Sequence, residues 1–253
     1  MNIKEFFKRT LYYVSVPKCV CCKEKLEYGE RGLCRVCKDT YEAHKMRNCP
    51  RCSHKLAECF CTYDSIEKHG IKNLVKLFRY SRNEESMPSN YLIYSLKQDN
   101  RRDVISLLAD ELSDALRGHL GEELSGYVIT GIPRRKGAIV NFGYDHAKRL
   151  AEEVSKRLNI EYVPILSSKS TKAQKSVYGQ ERMENARFDY RSRRLPDIKG
   201  KSVILVDDII TTGASITNSA DLIRKLRPKR IIGACLGTAY KEPYIDYYHS
   251  ASL

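Results

Sequence analysis

The chain has 253 residues with 42% apolar and 30% charged content, which fits an ordinary folded protein and excludes a fibrous or low-complexity one. No apolar run reaches the roughly 18 residues that a membrane span needs, and residues 1–16 carry Lys4, Glu5, Lys8 and Arg9 in place of an apolar signal core, so a cytoplasmic protein is expected. A formal net charge of +14 favours polyanionic partners, nucleic acid or phosphorylated small molecules, or else reflects a solvated basic surface, the first 61 residues being the more basic per residue.

In chain order, residues 3–14 place Ile3, Phe6, Phe7, Leu11 and Val14 at helical spacings, and Pro17 ends that helix. Nine of the ten cysteines follow between Cys19 and Cys61, in a stretch with too few apolar residues for a core of its own. Cys19, Cys22, Cys34 and Cys37 form one candidate zinc set, and Cys49, Cys52, Cys59 and Cys61 a second. A two-residue gap presents two sulfurs to one tetrahedral ion, and two such knuckles close a structural Zn²⁺ site whose binding free energy replaces the missing core. The second set ends in a Cys-x-Cys knuckle, so one or two ions fit the pattern. Cys21 is left over, and His54 is an alternative ligand or a surface turn residue. Disulfides are the competing use of these cysteines, and a cytosolic setting disfavours them.

A bridge, residues 63–90, contains a predicted helix over IKNLVKLF and then the loop SRNEESMPSN. The larger unit, residues 91–253, alternates helical and strand patterns. Residues 103–117 and DHAKRLAEEVSKRL carry helical stripes, with His146 in the first turn of the second expected as a polar surface residue, its alternative being a base near the ligand, whereas YVITGIP, Tyr162 to Leu166, Val203 to Val206 and Ile231 to Leu236 read as buried strands. Such alternation predicts a mostly parallel α/β sheet with helices on both faces, preceded by a zinc-ribbon module at residues 1–62.

The chemistry concentrates in VILVDDIITTGAS. A buried strand delivers Asp207 and Asp208 to its carboxyl end, the ligand-binding edge of open α/β sheets, and the chain then turns through Thr211, Thr212, Gly213, Ala214 and Ser215 into a helix. Backbone N–H groups and hydroxyls at a helix N-terminus suit a phosphate, with Gly213 permitting close approach. Ionised carboxylates accept only, which suits the two donors of a vicinal diol. The combination describes a ribose 5-phosphate site.

This segment resembles the phosphoribosyl pyrophosphate (PRPP) motif of type I phosphoribosyltransferases. The whole order of parts, cysteine-rich ribbons, YSLKQDNRRD, GIPRRKGAIVNFGYDHA, QKSVYGQERMENARFDY and the PRPP segment, is similar to the ComF family of competence-associated phosphoribosyltransferase-like proteins. The resemblance implies a pyrophosphate loop at Gly131, Ile132, Pro133, Arg134 and Arg135, and a flap over residues 174–188. The family form R-G-F-N-Q is replaced here by Asn141, Phe142, Gly143, Tyr144, Asp145 and His146, which puts in doubt what the missing Arg and Gln would contact. It further implies Mg²⁺ with PRPP, and Asp207 and Asp208 as the catalytic acids of phosphoribosyl transfer to an unidentified acceptor, in the context of DNA uptake. The alternative is a non-catalytic accessory protein that responds to PRPP and binds single-stranded DNA, with a DNA-uptake helicase or another competence protein as partner.

Overall fold

A computed structural model describes residues 16–80, 87–134, 139–140, 143–169, 188–193 and 195–239. The helix expected at residues 3–14, Arg135, and the flap except Phe188 lie outside the described residues.

Within the cysteine-rich stretch α1 spans Arg35–Lys45 and a 3-10 turn spans Leu56–Glu58; a single helical turn, α2, follows at Asp64–Glu67. Strand β1 is Ile71–Arg79, followed by α3 at Pro88–Gln98 and α4 at Arg102–Leu120. Next come β2 at Tyr127–Gly131, α5 at His146–Leu158, and the short β3 at Glu161–Tyr162. A two-stranded antiparallel pair joins β4, Leu166–Ser168, to β5, Phe188–Tyr190. The chain then runs through β6 at Ser202–Ile210, α6 at Ala214–Arg224 and β7 at Arg230–Thr238.

Five strands form one parallel sheet in the order β1-β7-β6-β2-β3. Both faces of β6 are buried, and its side chains alternate between two cores. Ile204 and Val206 face the cluster built by Leu92, Leu108, Leu112, Leu150 and Val154 of α3, α4 and α5. Val203 and Leu205 face the cluster that holds Ile216, Ala220 and Ile223 of α6. The expected α/β sheet with helices on both faces is therefore present.

Three expectations fail, one being the single strand expected over Tyr162 to Leu166, whose end residues instead belong to β3 and β4 of different sheets. IKNLVKLF is not a helix but β1, the edge strand paired in parallel with β7. Leu74, Val75, Leu77 and Phe78 are apolar at spacings that suit a short helix, yet burial on both faces requires the same density of apolar residues in a strand. The last residues of the expected loop, Pro88 to Asn90, instead open α3, with proline in the first turn where its missing N–H costs nothing.

The cysteine-rich module is fastened to the same body. Cys19, Val20, Leu26, Leu33 and Tyr41 join the larger of the two main cores. Across that seam the Tyr41 hydroxyl donates to Glu111 at 2.5 Å, Lys45 pairs with the same carboxylate at 3.1 Å, and Gly32 N–H donates to Asp103 at 3.0 Å. Among the described residues, no helix is long and apolar enough to cross a membrane.

Candidate functional site

Strand β2 pairs with β6 only as far as Gly131 with Val206, and the last contact is Ile132 N–H to the Val206 carbonyl at 2.8 Å. Beyond that point the two chains part, because α5 after β2 packs on one face of the sheet and α6 after β6 packs on the other. Divergence of this kind opens a crevice at the carboxyl ends of the strands, where α/β sheets take their ligands. Asp207 and Asp208 are the first residues of β6 past the divergence.

Strand alternation sends the two carboxylates to different surroundings. Asp207, partly exposed, lines a pocket with Ile209, Ile210, Thr211, Thr212, Gly213, Ala214 and Ser215. Gly213 caps α6 with φ +80°, and a Cβ there would stand 3.1 Å from Ile66 on α2, so both conformation and packing ask for glycine. The Thr217 hydroxyl donates to the Gly213 carbonyl at 3.0 Å, while Thr211 and Thr212 are exposed around the first turn of the helix. The N–H groups of the first turn, of which that of Ala214 donates to the Thr212 hydroxyl at 3.4 Å, carry the positive pole of α6 toward the pocket.

Asp208 is buried at 5% exposure and accepts from Arg134 at 2.8 Å, from Lys97 at 3.2 Å and from Ile209 N–H at 2.8 Å. Burial opposes its ionisation, but the two cations outweigh burial and hold its carboxyl well below the usual carboxylate range. Burial, and next the charge of Asp208, push Asp207 the other way, well above that range. The pair thus divides into one firmly ionised acid and one that is reluctant to ionise without a partner.

Of the expected pyrophosphate loop, Gly131 closes β2, and a Cβ there would stand 2.8 Å from the Ala147 carbonyl, so only glycine lets α5 begin this close to the sheet. Ile132 is buried, Pro133 and Arg134 are partly exposed, and Arg134 is brought onto Asp208. Lys97, at the end of α3, reaches the same carboxylate although motif reading gave it no role; a lone lysine closing an otherwise apolar helical stripe is too common a pattern to single out. His146 corrects a further expectation. It opens α5 but is fully buried, with Nε2 2.8 Å from the Lys97 carbonyl, and burial, then Arg134, lower its pKa.

The two cysteine quartets assemble as spaced in the sequence, Cys19, Cys22, Cys34 and Cys37 in one and Cys49, Cys52, Cys59 and Cys61 in the other, each with its sulfurs within 4.8 Å of one another. The Cys22 and Cys34 sulfurs are 3.6 Å apart and the Cys52 and Cys59 sulfurs 3.5 Å. These separations exceed the about 2.05 Å of a disulfide and approach the about 3.8 Å that tetrahedral Zn–S bonds of 2.3 Å impose. Both quartets could hold a zinc ion. His54 stands outside the second quartet, exposed, with Nδ1 3.0 Å from the Cys52 carbonyl, and Cys21 belongs to neither. The second quartet also meets a buried lysine: Lys76 of β1 donates to the Cys61 carbonyl at 2.8 Å and to the Cys59 sulfur at 3.3 Å.

Comparison with known proteins agrees with the reading of the sheet and extends over most of the chain. The phosphoribosyl transferase domain model matches residues 146–249. The DNA utilization protein YhgH of Escherichia coli O157:H7 is 25% identical over 213 residues, covering 81% of this chain and 89% of its own length. Competence protein F of Haemophilus influenzae is 24% identical over 229 residues, covering 85% and 93%, and competence protein ComFC of Streptococcus pneumoniae is 26% identical over 215 residues, covering 81% and 87%. Near full-length relatives of this kind, a phosphoribosyltransferase-type sheet and paired cysteine clusters ahead of it are together consistent with the ComF family, to whose named members the chain is similar.

Proposed function

We propose that the chain binds Mg·PRPP at residues 207–215 and transfers its phosphoribosyl group to an acceptor, in the handling of DNA taken up by the cell. The observation that carries this reading is the pairing of Asp207 with the N-terminus of α6 in one pocket, at the mouth of a crevice whose far side holds Arg134. Thr211 to Ser215 and the α6 amides receive the 5-phosphate. Asp207 and Asp208 accept the ribose hydroxyls and favour positive charge on the sugar as its bond to diphosphate lengthens. The expected pyrophosphate loop, described as far as Arg134, takes the diphosphate, and Arg134 offsets charge on the leaving group. Mg²⁺ bound with PRPP supplies further neutralisation of the diphosphate. Each cysteine quartet holds a structural zinc ion, closed to chemistry because all four positions are protein sulfurs.

Calorimetry tests the site. Wild-type protein is expected to bind Mg·PRPP, and the double variant Asp207→Asn, Asp208→Asn to lose that binding; equal affinity in the two would refute the assignment. Release of pyrophosphate in the presence of nucleobases, amines or single-stranded DNA tests turnover.

A second reading keeps PRPP binding without transfer, in an accessory protein that binds single-stranded DNA. It is favoured by the names of the relatives, which speak of competence and DNA utilization and not of transfer. Tight PRPP binding with no pyrophosphate released across the panel supports it. So does a gel shift of single-stranded DNA that weakens steeply with salt, as expected for a chain of charge +14 contacting phosphates.

A further inference from the structure

Three consecutive residues fasten the two backbones that carry cations to the crevice. The Tyr144 hydroxyl donates to the Leu96 carbonyl, and His146 Nε2 lies 2.8 Å from the Lys97 carbonyl, where only a protonated nitrogen makes a hydrogen bond. Both acceptors are in the last turn of α3, whose final carbonyls have no partner within the helix. Between them in sequence, the Asp145 carboxylate caps α5 through Lys148 N–H at 3.1 Å and also accepts from Arg134 N–H at 3.0 Å. Tyr144, Asp145 and His146 therefore position Lys97 from one side and Arg134 from the other. These three residues belong to the stretch, residues 141–146, that replaces the family form R-G-F-N-Q.

The cations so positioned converge on a single oxygen, Asp208 Oδ2, at 3.2 and 2.8 Å. One guanidinium suffices to balance that carboxylate. Lys97 and Arg134 keep 29% and 22% of their side-chain surface exposed, whereas Asp208 keeps 8%, so the positive groups border the crevice and the acid lies beneath them. A compact ammonium on a flexible stem makes point contact with a phosphate oxygen, and moving from Asp208 Oδ2 to a ligand oxygen at the same mouth requires only side-chain rotation.

We propose that Lys97 is a second cation for the diphosphate arm of the ligand, aimed together with Arg134 by the clip Tyr144–Asp145–His146. The inference rests on the reading of the crevice as a PRPP site. It assigns the diphosphate end to two elements remote in sequence, the end of α3 and the turn after β2, and gives the departure from R-G-F-N-Q a positional role.

The test titrates wild type, Lys97→Met, Lys97→Gln and Lys97→Arg with Mg·PRPP, Mg·pyrophosphate and ribose 5-phosphate, with melting temperatures recorded for each. Affinity for PRPP and pyrophosphate is expected to fall about tenfold or more in the Met and Gln variants, the loss of one charge-assisted contact, while ribose 5-phosphate binds within about twofold of wild type and Lys97→Arg recovers most of the loss. His146→Ala is expected to weaken the same two ligands by a smaller factor with ribose 5-phosphate again unaffected. A purely structural partnership of Lys97 with Asp208 would weaken all three ligands together, and that result, or unchanged pyrophosphate affinity, overturns the inference alone. Wild-type protein that binds neither PRPP nor pyrophosphate overturns the site reading and this inference with it.

Discussion

Asp207 and Asp208 are adjacent in sequence and opposite in electrostatic fate. The difference arises because a strand turns neighbouring side chains to opposite faces, and among the described residues the two close ion pairs, from Lys97 and Arg134, fall on Asp208. Asp207, raised by burial and by the charge beside it, binds its proton more tightly folded than unfolded. Above its ordinary range, near pH 4, the unfolded chain therefore holds fewer protons at this position, and folding stability declines as pH rises toward the raised value. For Asp208 the sign reverses: its stabilising contribution is present above the ordinary range and is lost as pH falls below about 4. Asp207→Asn is thus expected to raise the neutral-pH melting temperature and flatten the decline on the way up from about pH 4 while abolishing PRPP binding. Melting curves across that range check it, and a variant that is both less stable and unable to bind would count against the pKa argument. Gly131 is a second residue whose need is tertiary, since its missing Cβ makes room for the Ala147 carbonyl.

At the scale of elements, β1 carries the largest correction and also the most consequential contact. The stretch assigned to a bridge contributes a strand of the central sheet, and its Lys76, 3% exposed, donates to the Cys59 and Cys61 carbonyls at 3.4 and 2.8 Å and to the Cys59 sulfur at 3.3 Å. A tetrathiolate zinc centre carries net negative charge, and a buried ammonium beside it offsets that charge much as partners outside the ligand set tune other metal centres. Lys76→Met is expected to lower retained zinc by about one equivalent per chain after mild chelator treatment, with the first quartet unaffected. Metal analysis reads this, and undiminished zinc would show that Lys76 serves packing alone. Helical stripes were legible in residues 103–117 and 146–158 because one face of each is polar. Residues 71–79 were not, because a strand at the edge of a sheet but under a cysteine cluster is apolar on both sides.

On the scale of the whole molecule, the first cysteine module shares its core with the phosphoribosyltransferase-type sheet. Leu26, Leu33 and Tyr41 pack in the same cluster as Leu92, Leu108 and Ile204, and Glu111 of α4 joins Tyr41 and Lys45 of α1 across the seam. A module joined in this way melts with the sheet. Stripping metal with a strong chelator is expected to lower a single calorimetric transition, and not to add a separate early one, because the knuckles bury their apolar residues against α3 and α4. Two resolved transitions in the chelated protein would refute that coupling.

The sequence by itself determined the chemistry that local order can encode: eight cysteines at knuckle spacings, a buried strand carrying two acids toward its carboxyl end, and a glycine at the mouth of a helix. Each depends on contacts within a few residues, so neighbouring letters suffice to specify it. Only the tertiary structure decided which side of β6 each acid faces, that β1 is a strand, and that Lys97 and Arg134 meet at one carboxylate with the Tyr144–His146 turn fastened to the backbones that carry them. Those outcomes depend on groups remote in sequence, Arg134 and Lys97 with Asp208 and His146 with Lys97, brought together because α5 and α6 pack on opposite faces of the sheet and leave the ends of β2 and β6 to diverge.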